Sequence, residues 1–117
     1  MIGVVGGTGL RKIDGFNIAR ELLVDTPYGK PSDKILVGKL EDRDVAFLAR
    51  HGEGHTIPPH LINYRANIFA LENLGVEAIF SIATVGSIPS EIQPGSIVFP
   101  HQIIDYTYGR EHTYFDG

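Results

Sequence analysis

Every apolar run in this chain is short, and most stop abruptly at glycine or at a burst of polar residues. Ile2 to Val5 runs into Gly6-Gly7, and Ile35 to Leu40 runs into Glu41-Asp42-Arg43-Asp44. Val45 to Leu48 runs into Ala49-Arg50-His51-Gly52, and Ala78 to Ala83 into Thr84-Val85-Gly86-Ser87. Short apolar runs bounded by turn residues read as buried strands. They are far too short to span a bilayer. Thr8 to Ile13 suits a short helix or an irregular turn, and the stretch from Leu61 to Leu74 reads as a helix: Ile62, Ala66, Phe69 and Ala70 share one face, while Leu61, Ile68 and Leu71 make a second. Such a helix should be well buried, packed on a sheet and against another chain. Gly75 suits its C-terminal cap.

The remaining segments fill in the order. Phe16 to Val24 mixes polar and apolar residues, with Leu22-Leu23-Val24 the most strand-like part. Thr26-Pro27-Tyr28-Gly29-Lys30-Pro31-Ser32 is a loop by its prolines and glycine. The runs 35–40 and 45–48, separated by a polar turn, predict an antiparallel hairpin. Ile97 to Phe99 and Ile103-Ile104 are further short strand candidates, with Gln93-Pro94-Gly95 as a turn before the first. The pattern is α/β with mixed pairing rather than regular βαβ repetition. One helix for so many strands leaves a face of the sheet poorly covered.

Length and charge narrow the possibilities. A chain of 117 residues suits one domain. With no cysteine, disulfides, thiolate chemistry and Cys-type zinc sites are excluded. The formal net charge of -4 disfavours nucleic acid as a partner. Met1 is followed at once by apolar residues, with no basic segment and no long apolar core, so no export signal is expected. A cytoplasmic protein with no membrane partner is the default.

Four stretches could carry chemistry. Gly6-Gly7-Thr8-Gly9 follows a strand, so its backbone amides could face an anion, with Thr8 adding a hydroxyl. The third glycine of a dinucleotide fingerprint would fall at Lys12, and no Walker lysine-hydroxyl pair follows. A tight structural turn explains the same letters. In Arg50-His51-Gly52-Glu53-Gly54-His55, Arg50 could clamp phosphate through two parallel hydrogen bonds. His51 could donate to that anion or exchange a proton with it. His51 and His55 have metal-ligand spacing, but the flanking glycines argue against a rigid zinc-protease helix, and no metal is expected. A solvated polar loop is the plain alternative. Thr84-Val85-Gly86-Ser87, at the end of a buried strand, suits a ligand floor or an ordinary core-to-turn transition. The aromatic stretch from Asp105 to Phe115 suits a site wall, a subunit contact or a loop packed on its own domain.

Taken together, these stretches resemble the methylthioadenosine/methylthioinosine phosphorylase branch of the purine-nucleoside phosphorylases. The matching motifs are GGTGL at Gly6 to Leu10, TPYGKPS at Thr26 to Ser32, and ARHGEGHTIPPHLINYRANIFAL from Ala49 to Leu71. They continue with VGS at Val85 to Ser87, IQPGSIVFPHQIIDYT from Ile92 to Thr107, and GREHTYFDG from Gly109 to Gly117. The stretch PHQIIDYTYGREHTYF looks closer to the methylthioinosine-specific members. The resemblance implies a mixed twisted sheet flanked by helices, of which residues 1–117 are the N-terminal part of one nucleoside-phosphorylase domain. It implies a homotrimer or hexamer. It also implies that Gly7, Thr8, Arg50 and His51 bind phosphate. Ala83 and Thr84 match the segment that places phosphate and ribose. Some members have a hydroxyl residue where Ala83 stands, so Thr84 or backbone could make that contact. Asn63 and Tyr64 support the site.

The reaction implied by resemblance is phosphorolysis of a 5'-methylthio purine nucleoside. Inorganic phosphate is the co-substrate, with no metal and no organic cofactor, and the products are the purine and 5-methylthioribose 1-phosphate. No catalytic residue proper is assigned to this segment. Family members continue for about as long again, and that half supplies the ribose contacts and the side chain that reads the base. A separately encoded second half would be a natural partner. A non-catalytic, oligomerising remnant of the same fold is the competing expectation.

Overall fold

The computed structural model describes residues 1–7, 9, 12–111 and 113–115. Its centre is a mixed five-stranded sheet formed by β1 (Ile2–Gly6), β2 (Phe16–Leu22), β3 (Ile35–Leu40), β4 (Arg43–Ala49) and β5 (Ala78–Ser81). One helix, α1 (Tyr64–Asn73), connects β4 to β5. The spatial order is β2-β3-β4-β1-β5. β2, β3 and β4 pair antiparallel, while β4, β1 and β5 run parallel. The α/β sheet with mixed pairing and the 35–48 hairpin are as expected from the run lengths.

Alternation along the strands divides the core between the two faces of the sheet. Val5, Ile35, Val37, Ala46 and Leu48 point to the face on which α1 lays Ala70 and Leu71. Val4, Leu36, Phe47 and Ala49 point to the other, where Phe16 joins them. Only the first face carries a helix among the described residues, as the ratio of strands to helices suggested.

The ends of α1 follow from local chemistry. Pro58 and Pro59 lead into a 3-10 turn at Pro59–Leu61, so the helix begins at Tyr64 rather than at Leu61. Asn63 caps it, its Oδ1 accepting from the Ala66 amide at 3.0 Å. At the other end, Gly75 has φ +77, its N–H donates to the Glu72 carbonyl, and the Val76 N–H reaches the Leu71 carbonyl. This paired bonding is a Schellman cap, which favours glycine in the left-handed conformation. The helix buries Ala66, Asn67, Ala70 and Leu71. Of the second side expected to be buried, Leu71 is fully buried while Leu61 and Ile68 are exposed, so it is covered only in part.

Two expectations change for a shared reason: a strand depends on its neighbour as much as on its own letters. β2 stops at Leu22 instead of reaching Val24, because it is an edge strand defined by its register with β3. Its register shifts between Ile18 and Arg20, opposite Gly38. The candidates at 97–99 and 103–104 form no strand. Ile97 and Phe99 are 85% and 82% exposed. Without a paired edge, their backbone amides and carbonyls bond to water and the extended conformation gains nothing.

Candidate anion-binding site

Three parallel strands end side by side. The ladder continues one residue past each pair: the Arg50 amide donates to the Gly6 carbonyl at 3.0 Å, and the Ile82 amide to the Val5 carbonyl at 2.8 Å. Gly7, Arg50 and Ala83 therefore leave the sheet together at its carboxyl edge. This is where open α/β sheets bind ligands, because strand ends there expose backbone groups and side chains in one crevice. β2 ends and β3 begins at the same edge, since the two strands run antiparallel to each other and β3 runs antiparallel to β4. The loop 26–32 and the start of α1 thus gather there too.

The Arg50 guanidinium is tied at two points. Its Nη1 donates to the Ile82 carbonyl, and its Nε donates to His51 Nε2 at 3.1 Å. His51 is buried. Its Nδ1 lies 2.9 Å from the Ile57 carbonyl. A carbonyl only accepts, so Nδ1 carries the hydrogen, and Nε2 of the neutral ring presents the lone pair that Arg50 uses. The Ile57 amide returns a bond to the His51 carbonyl at 2.8 Å, closing the 51–57 turn. That turn needs left-handed backbone at Gly52 (φ +74), Gly54 (φ +73) and His55 (φ +60). The His55 ring lies over His51, with centroids 4.4 Å apart.

Around Gly7 there is room. It takes no positive φ, and a Cβ added at Gly7 or Gly9 would meet nothing within 4 Å. Neither a positive φ nor crowding by the described residues therefore demands glycine at position 7. Thr8 lies outside the described residues. Ala83 and Thr84 are exposed directly beyond β5. The structure thus brings Gly7, Arg50, His51, Ala83 and Thr84 to one edge.

The 26–32 loop is fastened by two asparagines four residues apart, at the cap and in the first turn of α1. Asn63 Nδ2 donates to the Tyr28 carbonyl at 2.7 Å. Asn67 accepts from the Ser32 amide at 2.7 Å and donates to Ser32 Oγ at 2.9 Å. Asn67 was missed in the sequence. Its one signal is a polar residue beside Ile62, Ala66 and Ala70 on the apolar side of a helix. The loop in turn backs the histidine turn, since a Cβ at Gly52 would sit 3.2 Å from the Ser32 carbonyl.

The aromatic stretch divides. Tyr114 stacks edge-on against Tyr28 at 4.9 Å, and Arg65 sits 5.2 Å from the Tyr28 ring centre. Arg65 donates to the Thr113 carbonyl at 3.0 Å, and Tyr114 Oη to the Arg65 carbonyl at 2.8 Å. Residues 113–115 therefore strap their own chain near the start of α1. Arg110 lies over the Tyr64 ring at 5.0 Å, which makes Tyr64 an anchor for this strap. Tyr106 and Tyr108 are exposed. At the opposite, amino edge of the sheet, a cleft of about 350 Å³ includes Asp42, Asp44 and Glu77. The Met1 ammonium pairs with Glu77 there at 2.7 Å and lowers its pKa, and none of the four motifs reaches that edge.

A model of the phosphorylase superfamily matches residues 1–117. S-methyl-5'-thioadenosine phosphorylase of Saccharolobus solfataricus is 52% identical over 99% of this chain and 43% of its own length. A protein of Pseudomonas syringae pv. tomato named "Probable S-methyl-5'-thioinosine phosphorylase" is 49% identical over 96% of this chain and 46% of its own. Among solved structures, a mutant of adenosine/methylthioadenosine phosphorylase from Schistosoma mansoni, in complex with adenine, superposes with a TM-score of 0.88 at 42% identity. That match covers 97% of this chain and 38% of the other. The chain spans less than half the length of these relatives.

Proposed function

This chain belongs to the phosphorylase superfamily, and we propose that it forms the phosphate-holding portion of an enzyme that cleaves a 5'-methylthio purine nucleoside with inorganic phosphate. The products are the free purine and 5-methylthioribose 1-phosphate. The substrate class follows the names of the relatives, methylthioadenosine in one and methylthioinosine in another. The observation that carries the reading is the meeting of Gly7, Arg50 and the residues after β5 at one carboxyl edge.

The chemistry follows from that edge. As the purine leaves, the anomeric carbon gains positive charge. A phosphate held beneath the sugar stabilises that charge and is already aligned to attack. Arg50 offers a fork of N–H groups matched to two phosphate oxygens. The Gly7 backbone, His51 and the Ala83-Thr84 segment would complete the cradle; Thr8 is added on the resemblance alone and lies outside the described residues. The reaction uses phosphate as co-substrate, and neither a metal nor an organic cofactor enters it. The purine contacts and the remaining ribose contacts would come from the portion of the relatives that this chain does not span. A homo-oligomer, trimer or hexamer, is the assembly that this reading expects.

Titrating phosphate into the protein and into Arg50→Ala tests the reading. The variant should bind about 10-fold more weakly or worse, since each charge-assisted bond contributes about 1.5–3 kcal/mol. Equal affinities would remove the phosphate site. A second reading, in which the chain acts through its surface as a non-catalytic assembly module, is favoured by the exposure of Ile97, Phe99, Ile103 and Ile104. Phosphate-dependent turnover of methylthioadenosine or methylthioinosine by the chain alone would reject it.

A further inference from the structure

The hydrogen-bond pattern of His51 fixes which of its nitrogens can meet a ligand and in what form. Nδ1–H is committed to the Ile57 carbonyl at 2.9 Å, and the reciprocal bond from the Ile57 amide holds that carbonyl in place. The nitrogen facing Arg50 is therefore Nε2, with a lone pair and no hydrogen. Arg50 Nε–H occupies that lone pair at 3.1 Å. The other charged or titratable side chain set against the ring is His55, stacked at 4.4 Å, with Glu53 in the turn between them. From the loop before β3, the Ser32 carbonyl lies against Gly52 and brings no charge.

Suppose an oxyanion enters and draws the Arg50 N–H groups to itself. The Nε2 lone pair is then left facing an anion. An oxyanion with no proton presents lone pairs to a lone pair, which is repulsive. One that carries a hydroxyl group donates it to Nε2 and satisfies both partners. We infer that His51 is a specificity-determining residue that selects a protonated oxyanion, phosphate or arsenate, over sulfate, because its Nδ1–H is pinned to the Ile57 carbonyl and Nε2 must accept. This rests on the phosphate reading above. The single proton travels with monohydrogen phosphate, so the ring need not be charged. Sulfate fits only if the ring first takes up a proton from solvent.

Calorimetry on the full chain tests this. Phosphate and sulfate are each titrated in two buffers of different ionisation enthalpy, above the second ionisation of phosphate. Phosphate should bind with no net proton uptake and at least about tenfold more tightly than sulfate, as one charge-assisted bond implies. Sulfate should take up close to one proton as it binds. In His51→Gln, whose amide can turn to donate or accept, the preference for phosphate over sulfate should fall to within about twofold. The same affinity and proton uptake for both anions, or an unchanged preference in His51→Gln, would overturn the inference and leave the phosphate site standing. Absence of phosphate binding in the unaltered chain would overturn both. If His51→Gln does not fold, the paired-buffer result on the unaltered chain decides alone.

Discussion

At the scale of single residues, the chain separates groups that face the open edge from groups that hold them. Arg50 is of the first kind, at the end of β4, with the buried His51 ring bonded to it. Asn67 is of the second: it is buried, and both ends of its amide are bonded to Ser32. Its removal strands a backbone N–H and a hydroxyl together. Asn67→Ala should therefore cost about 1 kcal/mol, because the Ser32 amide it leaves unpaired is only part-buried. Urea unfolding measures this, and a loss of only a few tenths would show that the loop is held by something else. Arg50 and His51 were legible only as candidates, a polar burst directly after an apolar run that suits an anion site or a solvated loop alike. Asn67 was not, since an asparagine in a helix reads like any surface residue until its partner is known.

At the scale of elements, two glycines with different reasons make a contrast. Gly38 lies opposite the register shift in β2, where an added Cβ would stand 2.1 Å from the Asn17 carbonyl oxygen. Gly75 has open space around it and only an unfavourable φ of +77. Gly38→Ala should cost about 3 kcal/mol or more, because two pieces of backbone must separate. Gly75→Ala should cost about 1–2 kcal/mol, the penalty for left-handed backbone with a side chain. Thermal denaturation of the two variants gives the order, and equal losses would contradict it. The strap at 113–115 responds to alkali. Burial against Tyr28 raises the pKa of Tyr114 above its ordinary value of 10.0, so the neutral phenol is the form the fold favours. Its contribution is complete below that value and is lost as pH rises through the raised one. The tyrosinate absorbance lost in Tyr114→Phe should be the component of the alkaline titration that appears at higher pH than that of the exposed tyrosines; a lost component that titrates together with them would rule the contact out.

At the scale of the whole molecule, regular secondary structure ends with β5 among the described residues. The residues from Ile82 to Gly109 form no helix or strand, and every one of them is exposed. Chymotrypsin should cut first at Phe99, Tyr106 or Tyr108, while the β1–β5 sheet and α1 resist. Protection of these sites equal to that of Phe69 would mean that the segment is covered in solution. Run length and alternation were enough to place β1, β3, β4 and β5 and the bulk of α1, because burial on a sheet or helix face leaves its period in the letters. Residue type after each run was enough to nominate Gly7, Arg50, His51 and Thr84. Tertiary structure alone decided that these residues meet at one edge, since strand order and direction depend on pairings between segments far apart in the chain. It also decided that 97–99 and 103–104 are not strands, and which nitrogen of His51 accepts. A strand requires a neighbour's free edge, and a tautomer requires a partner's carbonyl; neither is a property of the residue that displays it.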